Sequence, residues 1–157
     1  MLRFAKDKSP YKTNMGASIN KGGRKAENSA GYYFHLEPGG VFTGGGIWMP
    51  MPDELKKVRQ EIDYNFTDFK KIIAAKKFKT VYGELSSNPE YKLSRVPKGY
   101  DPENPAAEFL KLKSYIAMIK ISDADLSSKD LVKKTVAAFE ALQPLIEFIN
   151  EALRAPE

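Results

Sequence analysis

The chain reads as an α+β domain, an antiparallel sheet built around a central hairpin (31–49) with helices packed on one face. Three observations predict this. The stretch GYYFHLEPGGVFTGGGIWMP (31–50) sets two alternating segments on either side of a Pro-Gly-Gly turn. Two long segments, 52–79 and 127–153, repeat apolar residues at helical spacing, and between them YIAMIKI (115–121) alternates again. With 157 residues and no internal repeat, residues 1–157 are expected to form a single domain with enough chain to bury a core.

The elements follow in order. Residues 1–14 offer Leu2 and Phe4, then the turn formers Asp7, Ser9 and Pro10 ahead of Tyr11. Residues 15–30 (MGASINKGGRKAENSA) are small, polar and glycine-rich. They read as a mobile loop, entered by a short strand around Ala17–Ile19. In the first hairpin strand Tyr32, Phe34 and Leu36 share a core face, and Tyr33, His35 and Glu37 share the other. Pro38 and Gly39 fit the two central positions of a type II turn, because glycine accepts the positive φ required at the second. Gly44, Gly45 and Gly46 in the return strand indicate either a bulge or a place where another backbone or a ligand comes close. Ile47 and Met49 are placed on one side of that strand and Trp48 on the other. A bulge would decide whether Trp48 shares a face with His35.

Pro52, followed by Asp53 and Glu54, opens a helix with the acidic first turn that its dipole favours. Asn65 or Thr67 is the expected cap of a second helix carrying Phe66, Phe69, Ile72 and Ile73. The patch Lys76-Lys77-Phe78-Lys79 is placed at its C-terminal end. Residues 80–104 read as loops and short strands made rigid by Pro97, Gly99, Asp101 and Pro102. Asn104-Pro105 starts a short helix reaching to about Ser114, and Tyr115–Ile121 forms a strand. Ser127 or Ser128 caps a last long helix that Pro144 is expected to kink or restart, since proline lacks the donor and crowds the preceding turn.

Composition excludes several classes. Hydrophobic residues at 42% and charged ones at 29% argue against wholesale disorder. No apolar run approaches the length of a membrane span, and no secretory h-region opens the chain, so it is expected to be cytoplasmic and free of membrane contact. Without cysteine there is no disulfide, thiol nucleophile or thiolate metal site. One histidine rules out a histidine-rich zinc site. No P-loop, dinucleotide fingerprint or nucleophile elbow is present, and the sequence points to no cofactor and no metal. The net charge of +5 is unevenly spread: residues 1–25 hold seven basic residues against one acidic, and the remainder 18 against 19. Such asymmetry marks either an anion-facing surface or a solvated basic arm.

The candidate site is drawn from that pattern. Lys8, Tyr11, Lys12, Trp48, Arg95, Lys98 and Tyr100 interleave cations with rings, the residue types that bind phosphate and stack on flat ligands. The same residues also read as unrelated charges on separate loops. His35 is the candidate acid or base, with Glu37 as its partner on the same strand face.

Four stretches carry a resemblance: RFAKDKSPYKT (3–13), the hairpin GYYFHLEPGGVFTGGGIWMP (31–50), KLSRVPKGYDPENPAAEFLKLKS (92–114) and ISDADL (121–126). Together they resemble the domain-of-unknown-function 2461 family of bacterial proteins, in the family's own order. The resemblance implies no activity, because the family has none to lend. It also implies an N-terminal helical segment and an Arg-rich strand ahead of the RF motif. Relative to that pattern this chain reads as N-terminally truncated, which would leave a sheet edge uncovered and invite a homodimer.

Three functions compete. The first is a domain that binds a small anionic ligand near the hairpin. The second is an enzyme with His35 as general acid or base. The third is weak nucleic-acid binding through the basic N-terminal region, ranked last because the charge excess is small.

Overall fold

The computed structural model describes residues 12–23 and 29–155. Four antiparallel strands, β1 (Met15–Ile19), β2 (Gly31–Leu36), β3 (Phe42–Ile47) and β4 (Tyr115–Lys120), form one sheet in the order β1-β2-β3-β4. Between β3 and β4 run α1 (Pro52–Tyr64), α2 (Phe66–Ala74), α3 (Lys76–Tyr82), a 3-10 turn (Pro89–Tyr91) and the short α4 (Ala107–Leu110). After β4 come α5 (Asp123–Leu126) and the long α6 (Leu131–Arg154). The α+β class read from the sequence is the one observed.

The hairpin forms where expected. Gly39 has φ +72, and the Gly40 N–H donates to the Glu37 carbonyl at 2.9 Å across the turn. Pairing of β2 with β3 is one-to-one from Gly31 opposite Gly46 to His35 opposite Phe42, so no bulge interrupts it. Of the two explanations for the glycine triplet, close approach is the one seen. A Cβ on Gly44 would lie 2.0 Å from the Ala117 carbonyl oxygen, and one on Gly46 2.0 Å from that of Tyr115. One on Gly45 would lie 2.2 Å from the Gly31 oxygen and 3.0 Å from Leu142 of α6.

This register sorts the sheet into two faces. Tyr32 and Phe34 share the helix side with Thr43, Ile47, Tyr115 and Ala117, and the last four are buried. The Tyr32 ring meets Phe139 of α6 at 4.7 Å, whereas Leu36, at the strand end, runs out of helix to cover it and is 37% exposed. Helix α6 also holds the start of β2: the Asn150 side chain accepts from the Ala30 N–H at 2.8 Å and donates to its carbonyl at 3.2 Å. Beneath lies the core of Val58, Ile62, Phe69, Phe78, Leu110, Leu142, Leu145 and Ile149, all fully buried. Phe69 meets Phe109 and Phe148 at 5.2 and 5.5 Å. Emptying such an aromatic position costs about 3–5 kcal/mol.

Several boundaries differ from expectation, each for a local reason. The return strand stops at Ile47 rather than 49, because Met49 adopts φ +43 and its N–H donates to the buried Ser114 hydroxyl at 2.8 Å. The short strand expected around Ala17–Ile19 is present and begins two residues earlier, at Met15. The lysine patch does not close α2. Helix α2 ends at Ala74, Ala75 is extended, and Lys76 opens α3 so that Phe78 can enter the core. Asn65 precedes α2, yet its side chain donates back to Glu61 at 2.7 Å. Helix α4 is only four residues long, because Leu112 leaves it to bridge Lys92. Ser128 accepts from the Asp130 N–H at 3.1 Å instead of capping α6, and Ser122 caps α5, an element not foreseen. Pro144 neither restarts nor splits α6. It lies on the exposed side of the helix, where a missing backbone donor costs least.

The glycine geometry makes a test. Gly46 has φ +125, so Gly46→Ala carries both backbone strain and a collision with the β4 backbone. It is expected to lower the urea midpoint by an amount equivalent to about 3 kcal/mol or more. Gly40→Ala, whose Cβ would meet nothing nearer than Glu37 at 3.6 Å, is expected to stay within about 0.5 kcal/mol of wild type. Equal midpoints for the two variants would refute this account of the triplet.

Candidate functional site

The face of the sheet turned away from the helices carries the site. By register it presents Ser18 of β1, Gly31, Tyr33 and His35 of β2, Phe42, Gly44 and Gly46 of β3, and Ile116 and Met118 of β4. Because Gly46 of β3 stands opposite Gly31 of β2, where other positions carry side chains, this end of the face is hollow. The result is a groove of about 720 Å³ walled by Tyr33, Phe42, Trp48, Ile116 and Met118, with Gly31, Gly45 and Gly46 along its floor. Ser18 and Asn20 stand at its rim, and the buried Asn20 Oδ1 has no hydrogen-bond partner. Trp48, one residue past β3, is 55% exposed and set edge-on to Tyr91 at 4.8 Å. It therefore joins the face that carries His35, the point the sequence left open.

A second feature runs along β2 itself. The Tyr33 hydroxyl lies 2.9 Å from His35 Nδ1, and His35 Nε2 lies 3.1 Å from Glu37 Oε2. An ionised carboxylate only accepts, so Nε2 carries the donated proton; in the neutral imidazole Nδ1 is then the acceptor of the Tyr33 O–H. The period of two along a strand places all three side chains on one face. The imidazole stacks on Phe42 at 4.5 Å and 18°, and its side chain is only 13% exposed, against 43% for Glu37. Across the ladder, Gly16 faces His35, and a Cβ there would lie 2.5 Å from the Tyr33 hydroxyl. Strand β1 thus leaves room for that hydroxyl by having no side chain at this position.

The other sequence candidates do not converge on the groove. Arg95 and Lys98 are exposed on the segment before α4 and are not among its lining residues. Tyr100 packs against the core instead; burial, then the charge of Asp63, pushes its phenol up. Lys12 borders a different, shallower depression with Glu37 and Asp123. Lys8 and Tyr11 lie outside the described residues. Sequence reasoning placed Tyr33 beside His35 without giving it a role, and passed over Phe42, Ile116, Met118 and Asn20. Alternation in 115–121 was the available signal for the β4 pair.

Nearby polar groups serve the scaffold. Arg59 of α1 donates to the Leu112 carbonyl at 2.9 Å, and Tyr115 donates to the Phe109 carbonyl at 2.9 Å. Burial raises the Tyr115 phenol, which Arg59 partly offsets. Hydrogen bonds from Lys111 and Lys92 hold the exposed Glu108 carboxyl down to about 2. Among the described residues, no group of acidic or histidine side chains is placed to hold a metal ion, and no helix is long and apolar enough to cross a membrane.

Because the chain has a single histidine, its imidazole nitrogen spectrum reports His35 alone. Above the protonation range of the ring, NMR is expected to find the Nε2–H tautomer, and Tyr33→Phe is expected to shift the Nδ1 resonance. A predominant Nδ1–H tautomer would contradict the hydrogen-bond chain.

No curated protein and no solved structure matches the chain. One family model does, that of a conserved hypothetical protein, DUF2461, over residues 2–148. The match takes in all four strands and the first five helices, and with them the groove and the Tyr33–His35–Glu37 chain, so this protein belongs to the DUF2461 family.

Proposed function

We propose that the chain binds a small molecule with a flat, largely apolar body in the groove on the open face of the sheet. The observation that carries this reading is the groove's make-up: a glycine floor between the rings of Tyr33, Phe42 and Trp48 and the side chains of Ile116 and Met118. Its volume of about 720 Å³ falls within the range of small-molecule sites, and such sites are mostly apolar with a few polar groups that orient the ligand. Ser18, Asn20, Ser29, Tyr32 and Tyr33 are the lining residues with polar side-chain groups here. No Lys or Arg stands among the described lining residues. Recognition by ring faces, rather than by charge, is therefore what supports the reading, and the small anion expected from the sequence is the second choice.

Trp48 is the only tryptophan, so its fluorescence reads the groove directly. A neutral dye, N-phenyl-1-naphthylamine, and its anionic relative 1-anilinonaphthalene-8-sulfonate separate the two ligand classes. Both are expected to quench Trp48 saturably, and Phe42→Ala is expected to weaken binding about tenfold through loss of one aromatic wall. Binding of the sulfonate alone would restore the anionic reading. A Trp48 signal that neither dye changes would dismiss the groove as a binding site.

A further inference from the structure

We propose that Tyr33, His35 and Glu37 form a proton relay that makes the Tyr33 phenol oxygen an acid–base group for the molecule in the groove. The proposal rests on the groove reading for its substrate and adds a reaction to it. Of the three side chains, only Tyr33 lines the groove, while His35 stands behind it with a largely buried ring. The order along the chain is the one that activates a hydroxyl: a carboxylate orients an imidazole, and the imidazole accepts from the O–H. A histidine held merely for packing has no need of a carboxylate on one nitrogen and a groove-lining phenol on the other. The vacancy at Gly16 is a second, independent sign, since any side chain there would displace the hydroxyl from this position.

The reaction class is proton transfer within a bound molecule. Tyr33 Oη takes a proton from the ligand while the phenolic proton passes to His35 Nδ1. The bonding electron pair stays on the ligand, and the imidazolium formed lies against the Glu37 carboxylate. Reversal returns a proton to the same or a conjugated atom, so the net change is exchange or tautomerisation and needs no electron acceptor. Flat, conjugated carbonyl compounds and heteroaromatic rings have both the shape for the groove and protons of this kind. Tyr33 is the catalytic residue in this scheme, and His35 and Glu37 are positioning residues that act through it.

The test uses phenylmethanesulfonyl fluoride, an apolar aromatic electrophile, with peptide mass spectrometry over the 8 tyrosines. An S–O bond forms at Tyr33, the S–F bond breaks, fluoride leaves and the phenolic proton passes to His35. Tyr64, 73% exposed, is the comparator for access alone. Wild-type Tyr33 is expected to react about a hundredfold faster than Tyr64, and His35→Gln is expected to remove that preference while the chain still melts cooperatively. Gly16→Ala gives the same reading from the edge strand and serves if His35→Gln fails to fold. Tyr33 labelling no faster than Tyr64, or equally fast in His35→Gln, would overturn the relay. Quenching of Trp48 by N-phenyl-1-naphthylamine keeps the two readings apart. A groove that takes the dye beside an unreactive Tyr33 defeats the relay alone, whereas His35-dependent labelling without dye binding supports the relay and defeats the dye-sized groove.

Discussion

The sheet depends on backbone meeting backbone at Gly44, Gly45 and Gly46. At these positions the carbonyls of Ala117, Tyr115 and Gly31 occupy the space a Cβ would need. Glycine in a strand interior loses conformational entropy on folding and offers no side chain to pack, a cost of roughly 0.5–1 kcal/mol each against alanine. The return is close approach on both sides of β3. Leu142 of α6 settles over Gly45, and on the far side the Met118 sulfur lies over Gly44, between Tyr33 and β4. A central strand of valines would fill the groove and push α6 away from the sheet.

With the glycines in place, strand parity does the rest. Successive residues of β2 alternate between the helix side, where Tyr32 meets Phe139, and the open side, where Tyr33 and His35 are spaced to hydrogen-bond. Both faces of β2 are therefore aromatic, for different reasons. One is covered by α6 and contributes to the core; the other faces outward, and its rings are held by each other through the Phe42 stack. A site built this way sits on a paired strand rather than a free loop, so its geometry is set by the ladder and by Gly39 at the turn.

Local signals were read correctly where local chemistry decides. The Pro38-Gly39 turn, the Pro52 helix start and the alternation of 115–121 each need only neighbouring residues, and each appears as expected. Decisions made by distant contacts were missed. Whether Lys76 ends one helix or opens another depends on where Phe78 finds the core, and the tolerance of Pro144 depends on which side of α6 meets solvent. The site shows the same divide. His35 and Glu37 were paired because they are two residues apart on a strand. The groove itself joins β1, β2, β3 and β4, and nothing in the order of residues places Met118 beside Tyr33. The cations grouped from separate loops shared chemistry but not a place in the fold.

The clasp between Asn150 and Ala30 has a consequence in time as well as in space. Its partners are 120 residues apart, and the register of β3 with β4 likewise waits on residues 115–120. A chain emerging from the ribosome can form the hairpin early, since its contacts are near in sequence. The hairpin cannot be locked to its helix until the C-terminal segment has been made. Contacts of such separation slow folding, because the entropy of closing the loop is lost before they form. During that interval the tyrosine and phenylalanine side chains of the hairpin stand uncovered. The hairpin's exposure to misassembly therefore lasts until Asn150 has been made and has reached Ala30.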